Sequence, residues 1–373
     1  MGLKLKISIS IILLVLLVIF IRHSSNMPDA VQETHTVRVM ESARSPYFLP
    51  QYLALNLGFF KEQNLDVNIT TTSPEAIRTA LADHRTDVAL CGLQKIIFNP
   101  DKPNDGKSVP KVFAAIALRD GSLLLARKDV ADFQWQKLDN KTIIGGSQDD
   151  SSEIALESVL RHIGLTLYRN VTIYHNIPES LRIGAFRAGT GNYLQLLEPE
   201  ATIAESKGFG KVVASIGEAA GNMFVTAYAA LPEYIEAQPE IVQKFTNAIY
   251  KAQLWLKQHS SEEAAAAVSL SFPNVDKQVL LKSIERYRSL EIWAENPVVS
   301  REPYEKFHAA ARNAGEIAAP APYETTVINS FARQAVETVV YVPKLEKSKK
   351  KSFLTHFNRL ISHGNTGPLS DDF

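Results

Sequence analysis

The sequence predicts an α/β protein of two lobes, each a mostly parallel sheet flanked by helices. Short strand-like runs alternate with segments of helical period along most of the chain, the order that parallel sheets require. Two such series are separated by a polar stretch, residues 128–141, that reads as a crossing between lobes. A length of 373 residues, 45% apolar and 21% charged, suffices for one large core or two moderate ones.

The first series opens at residues 36–40, where Val37 and Val39 alternate with Arg38 as in a half-buried strand. Ser45, Pro46 and Pro50 break that period, and Pro50 suits the first turn of a helix. Leu53, Leu57 and Phe60 recur at helical spacing until Gln63 and Asn64 end the helix, and Leu65, Val67 and Ile69 alternate again. The loop 44–49 therefore lies where a strand ends and a helix begins. Residues 74–85 read as a helix, and 87–90 as a buried strand running into Cys91 and Gly92. Residues 112–118 and 122–126 follow as two strands, with Arg119, Asp120 and Gly121 the turn between them.

The second series begins with strand 142–144 running into Gly145, Gly146 and Ser147, where glycines let backbone approach a ligand. Ser151, Ser152 or a neighbouring Asp can cap the helix that Ile154, Leu156, Val159, Leu160 and Ile163 make amphipathic. A strand at 171–174, a Gly-rich turn and short apolar run leading to Glu198 and Pro199, and strands at 211–215 and 224–229 complete it. Helical patterns then fill 232–258, 261–270, 276–288, 300–317 and 325–338. The expected division is 36–126 plus 226–340 for the first lobe and 127–225 for the second.

Residues 1–30 stand apart from the fold. Lys4 and Lys6 precede an apolar run, 7–21, broken only by Ser8 and Ser10, with Arg22 and His23 directly after it. This is an export signal or a membrane anchor. Fifteen helical residues span about 22 Å, against a hydrocarbon core of about 30 Å. The small residues of a cleavage site are hard to place, however. An uncleaved anchor extended by Leu3 and Leu5, with the lysines reaching the cytoplasmic interface, is therefore the preferred reading. Either way the globular part is expected on the extracytoplasmic side. At the other end, residues 341–373 form a basic tail, read as solvated and flexible, with five lysines between Lys344 and Lys351.

Forty basic residues balance forty acidic ones, so no bulk field argues for nucleic acid. The single cysteine, Cys91, excludes an intrachain disulfide and any cysteine-rich metal site. The nine histidines are scattered, and no H-E-x-x-H, G-x-S-x-G or phosphate-binding loop occurs. Nothing in the residues demands catalysis, a cofactor or a metal.

The loop Ser45-Pro46-Tyr47, the helix end Gly58-Phe59-Phe60-Lys61 and the strand start Leu65-Asp66-Val67 resemble one family: the substrate-binding proteins of bacterial ABC importers for nitrate, sulfonates, taurine and thiamine-pyrimidine precursors. Gly189, Tyr193, Glu198-Pro199, Gly208, Gly210 and Val212-Val213 match that family in order, as does the long helix carrying Phe245, Ala248, Ile249, Ala252, Trp255 and Leu256. The likeness covers about residues 36–340. Leu197 stands where members often carry Trp, and Cys91 where a small or apolar residue is usual. The resemblance implies a periplasmic-binding-protein-like fold of type 2. Such a protein closes on a small-molecule ligand and delivers it, as a monomer, to an ABC permease in the membrane, with no enzymatic step. Two alternatives use the same fold: an anchored sensor or scaffold, and a pyrimidine-synthase-like enzyme, which would need clustered histidines and a cysteine-rich segment.

In open α/β sheets, ligands bind beyond the carboxyl ends of strands, where helix N-termini converge. The candidates from the first lobe are Ser45, Pro46, Tyr47, Thr72, Ser73, Cys91 and Gly92. Those from the second are Ser147, Gln148, Asp149, Gly189, Asn192, Tyr193 and Glu198. Aromatic rings would stack on the ligand while hydroxyls and helix-end N–H groups hold its polar ends. Tyr47 and Phe48 can equally pack a core corner, and Cys91 can be a small buried hydrophobe. Helix N-termini near Ser73 and Ser147 suit an oxoanion. Asp149 and Asp150 disfavour one if they face the cleft, and decide nothing if they only cap the helix. An amine-bearing or heteroaromatic ligand is expected ahead of an oxoanion.

Overall fold

A computed structural model describes residues 33–97, 108–127, 132–148, 150–317 and 321–343. The targeting segment, Asp149 and the tail beyond Pro343 lie outside these residues. Strand β1 (His35–Glu41) buries Val37 and Val39, as its alternation predicts. Ser45 then caps a single 3-10 turn (Pro46–Phe48) that runs into α1 (Leu49–Asn56). Gly58, at φ +79°, separates α1 from α2 (Phe59–Glu62), so the expected continuous helix is broken where only glycine is unstrained.

Next come β2 (Leu65–Thr71), α3 (Pro74–Ala82), β3 (Val88–Gly92), α4 (Leu93–Ile97) and β4 (Lys111–Ala115). Strands β5 (Leu123–Ala126) and β6 (Lys141–Ile144) lead to α5 (Ser151–His162), β7 (Val171–Tyr174), α6 (Glu179–Arg187), β8 (Tyr193–Leu196), α7 (Glu200–Ser206) and β9 (Lys211–Ser215). After α8 (Ile216–Ala220) and β10 (Thr226–Ala230) the described chain is helical: α9 (Pro232–Ala237), α10 (Pro239–Gln258), α11 (Ser261–Val268), α12 (Lys277–Ser289), α13 (Arg301–Asn313), α14 (Tyr323–Thr326) and α15 (Ser330–Thr338). The described residues up to Val339 belong to one compact unit. Of the unit that follows, Val340–Pro343 are described, with Val340 and Val342 exposed.

The strands form two five-stranded sheets, β2-β1-β3-β10-β4 and β7-β6-β8-β5-β9. In the first, β1 pairs in parallel with β2 and β3, while β10 runs antiparallel to both β3 and β4. In the second, β6 pairs in parallel with β7 and β8, while β5 runs antiparallel to β8 and β9. Each sheet is therefore parallel apart from one inserted strand.

This arrangement corrects the expected lobe boundary. The strands read at 112–118 and 122–126 do not pair across a turn: β4 belongs to the first sheet and β5 to the second. The crossing is thus at residues 116–122, and β5 and β6 on either side of the polar stretch belong to the same sheet. An apolar run shows that a strand exists but not which partner it takes. A polar surface loop likewise has the composition of a linker.

Each sheet has its own core. In the first lobe Phe245 of α10 packs against Phe60, Phe113 and Tyr228, with ring centroids 5.0, 6.1 and 5.1 Å away. In the second, Leu125, Ile144, Phe186, Leu194 and Ala204 pack together, covered by Ile183 and Val212.

Candidate functional site

Because β1, β2 and β3 run in parallel, the loops that follow them share one edge of the first sheet; those after β6, β7 and β8 share one edge of the second. These two edges meet. Ser45 Oγ, just after β1, donates to the carbonyl of Glu198, just after β8. Ser151 Oγ, at the start of α5, donates to Gln94 Oε1, just after β3. Gly92 lies so close to Ser151 that a Cβ there would overlap its hydroxyl.

The two crossings, residues 116–122 and 216–225, run side by side. Ile216 N–H donates to Ser122 O at 3.0 Å and Met223 N–H to Leu118 O at 2.9 Å. Gly217 permits this approach, since a Cβ would collide with the Asp120 carbonyl. Asp120 links this waist to the second lobe: its Oδ1 accepts from Ser122 N–H at 2.9 Å, and its Oδ2 from Ser152 Oγ at 2.6 Å. Gln195 Nε2 donates to Ser122 Oγ at 3.1 Å and to Ser152 O at 3.0 Å, while its Oε1 accepts from Gly146 N–H at 3.2 Å.

The second-lobe wall is acidic. Burial pushes the Asp120 carboxyl up to about 6, against the opposing pull of its bonds from Ser122 and Ser152. Asp150 caps α5 through Ser152 N–H at 3.4 Å. It keeps a solvent-accessible face yet is ringed by protein, and desolvation raises its pKa. Burial also lifts Glu200, at the start of α7, to about 7. A positive charge arriving here would restore these carboxylates to their ionised forms.

The predicted residues fall into three groups. Ser45 and Gly92 lie on the meeting edge. Ser147 and Gln148 are exposed in the loop after β6, and Thr72 and Ser73 sit at the equivalent end of β2, where Ser73 Oγ caps α3. Asp149 lies outside the described residues.

A second group is close by but turned inward. Tyr47 is 4% exposed, its ring against Gly121 and Tyr287 and its hydroxyl donated to Arg119 O at 3.1 Å. It therefore packs the waist, not an open face. The Pro46 carbonyl accepts from Trp293 Nε1 at 3.0 Å. Cys91 is fully buried, and burial pushes its thiol well up. The Glu198 carboxylate is committed to Thr202 N–H (3.0 Å), Thr202 Oγ1 (2.9 Å), Ser283 Oγ (3.1 Å) and Arg286 (2.5 Å); it ties α12 to α7 and leaves only its carbonyl to Ser45.

The third group is at the wrong edge. Tyr193 pairs with Ile143 at the amino end of β8, and Asn192 Oδ1 accepts from Thr142 N–H and Oγ1, both at 3.0 Å. Gly189, Asn192 and Tyr193 thus lie across the sheet from Gly145 and do not face it. Residues before a parallel strand start at the far edge, so the strand-end rule itself argues against them.

Sequence reasoning missed Gln94, Asp120, Gln195 and Thr226. Thr226 begins β10 opposite Gly92, and its buried Oγ1 has no hydrogen-bond partner. A polar residue beside or within an apolar strand was the available signal. It does not say which other strand the side chain will meet.

Two like sheets, joined by paired crossings and meeting at polar strand ends, define the class of two-lobed periplasmic binding proteins. Solved structures agree on this fold. The alkanesulfonate-binding protein SsuA from Xanthomonas axonopodis pv. citri matches with a TM-score of 0.64 at 15% identity, over 80% of this chain and 100% of that one. The periplasmic nitrate-binding protein NrtA from Synechocystis PCC 6803 matches with a TM-score of 0.64 at 14% identity, over 84% of this chain and 90% of that one. The chain belongs to the NMT1/THI5-like family, whose model matches residues 45–263. Among its relatives, "Putative binding protein YtlA" of Bacillus subtilis (strain 168) is 33% identical over 306 residues, 81% of this chain and 91% of that protein. The 4-amino-5-hydroxymethyl-2-methylpyrimidine phosphate synthase of Candida albicans (strain WO-1) is 25% identical over 232 residues, 58% of this chain and 66% of that protein.

Proposed function

We propose that the chain is the extracytoplasmic solute-binding component of an ABC-type importer, and that it captures a small amine-bearing or heteroaromatic molecule between its lobes for delivery to a membrane permease. The observation that carries this reading is the polar seam: Ser45 to Glu198, Gln94 to Ser151 and Asp120 to Ser152. Hydrogen bonds between loop ends can be exchanged for bonds to water or to a solute when the lobes part, whereas an apolar seam would resist opening. Asp120, Asp150 and Glu200 put carboxyl groups on this side of the seam, which supports a cationic or amine-bearing ligand over an oxoanion. The names of the relatives support the same range, since one is named a binding protein and another a synthase of an aminopyrimidine phosphate. The apolar segment at residues 7–21 supports export of the globular part, as does the periplasmic location named for NrtA. No helix among the described residues is long and apolar enough to cross a membrane.

The test is a thermal-shift screen of the full chain with aminopyrimidines, primary amines, taurine, alkanesulfonates and nitrate. A ligand present at about 100 times its Kd raises apparent stability by about 2.7 kcal/mol, which a melting curve resolves. Aminopyrimidines or amines should raise Tm most. If none of these classes moves Tm at millimolar concentration, solute binding is refuted; if only sulfonates or nitrate do, the ligand class is wrong and the binding role stands.

A further inference from the structure

We propose that Glu153, Glu157 and His175 form a binding site for one divalent first-row transition cation of the Zn2+ or Mn2+ kind, beneath the loop that follows β6. Glu153 and Glu157 are four residues apart on α5 and so share one face of the helix. His175 directly follows β7, the neighbour of β6. One ligand atom from each of the three lies within 4.8 Å of the other two. Atoms held 2.0–2.2 Å from a common cation stand about 3–4 Å apart, so side-chain adjustments of about an ångström complete the set.

Two of these atoms have no other partner. Glu153 is fully buried; its Oε2 accepts from Gly146 N–H at 3.1 Å, but its Oε1 accepts from nothing. His175 Nδ1 lies 3.1 Å from the Gly146 carbonyl oxygen. That oxygen can only accept, so Nδ1 carries the proton and the buried Nε2, also without a partner, presents a lone pair. This is the tautomer a metal ligand requires, held in the usual way by a backbone carbonyl on the other ring nitrogen. Gly146 therefore orients two of the three ligands, one through its N–H and one through its C=O. Gly145 makes room beside them, since a Cβ there would sit 2.6 Å from Glu153 Oε2.

Charge points the same way. Glu153 and Glu157 bring two buried carboxyl groups to one face of α5 beside the His175 ring. The Arg161 guanidinium pairs with Glu157 at 3.2 Å, and among the described residues no hydrogen bond reaches Glu153 Oε1. An imidazole with two carboxylates suits Zn2+, Mn2+ or Fe2+, whereas Mg2+ and Ca2+ prefer oxygen alone. A cation here would tie the first turns of α5 to the end of β7 and fix the loop that carries the second wall of the seam.

The full chain, stripped with a chelator and dialysed, is titrated with Zn2+, Mn2+, Mg2+ and Ca2+ by calorimetry, with Tm followed in parallel. Zn2+ should bind at one equivalent with micromolar or tighter Kd and raise Tm; Mn2+ should bind more weakly, and Mg2+ and Ca2+ should have no effect at the same concentration. Glu157→Gln and His175→Gln should each weaken Zn2+ binding at least tenfold, while the exposed His84→Gln leaves it unchanged. Co2+ bound to the wild-type chain should give visible absorption bands that His175→Gln alters, a readout that does not depend on the fold stability of the glutamate variant. Absence of wild-type Zn2+ binding at 100 μM (about 5.5 kcal/mol) overturns the proposal, and so does tight binding that both ligand variants retain.

Discussion

The two lobes are built alike but finished differently. In each, the order is second strand, first strand, third strand, inserted antiparallel strand, fourth strand, and in each the inserted strand shifts register against the fourth: at Tyr228/Ala229 in β10 and at Leu124/Leu125 in β5. The difference lies in the buried carboxylate near the end of each lobe's first strand. Glu41 in the first lobe is saturated, with Gln51 Nε2, Tyr52 OH and Thr71 Oγ1 each donating at 2.7 Å and Arg44 Nε at 2.9 Å. Glu153 in the second has Gly146 N–H on one oxygen and nothing on the other. The first wall is complete as folded; the second is complete only when something is added to it.

Substitution at the two glutamates gives the largest expected contrast. Glu41→Ala strands four donors around one buried point and should cost about 3–5 kcal/mol in urea denaturation, the range for breaking a buried charged network. Glu153→Gln in the cation-free chain removes a poorly solvated carboxyl and should cost less than about 1 kcal/mol. Equal losses at both positions would erase the distinction between the lobes.

Next in size is a pH effect located in the second lobe. Asp120 titrates near 3.8 when exposed and at about 6 in the fold. The folded state therefore holds the proton more tightly, and stability should rise as pH falls from about 7 to about 4, by on the order of 2–3 kcal/mol for this group. Asp120→Asn should flatten that part of the profile, measured as ΔG of unfolding against pH. A wild-type profile that instead falls steadily from pH 7 to pH 5 would contradict the assignment.

The smallest effect tests the seam. Gly92→Ala places a methyl group against the Ser151 hydroxyl and should hold the lobes apart, lowering ligand affinity about tenfold with less than about 1 kcal/mol lost in stability. Adding Ser151→Ala should recover most of the affinity. Failure of the second change to rescue the first would show that the two edges do not close through this contact.

Much of this architecture was legible in the residues. β7 and β9 fall where their apolar runs predict, and β1 and β2 exceed theirs by only a residue or two, because a period of two is a local property. Partner choice is not local, which is why β5 was read into the wrong lobe. The glycines at 145 and 146 read as letting backbone approach a ligand, and in the structure the Glu153 carboxylate lies against both. Ser45 was found because Pro46 marks a strand end, whereas Gln94 and Gln195 carry no such mark. Their roles depend on which side chains the two lobes bring opposite them. The Glu198 carboxylate was misread for the same reason: Ser283 and Arg286, which claim it, lie more than eighty residues further along the chain.

The paired crossings have a mechanical consequence. β4 runs on into β5 and β9 into β10, and the two connections are hydrogen-bonded to each other at Ile216–Ser122 and Met223–Leu118. The joint is therefore two segments bonded side by side, one of them carrying α8, not a pair of loose tethers. Sliding one segment past the other would break those bonds, whereas bending the pair together would keep them. Flexure of that kind would part Ser45 from Glu198 while leaving the joint intact.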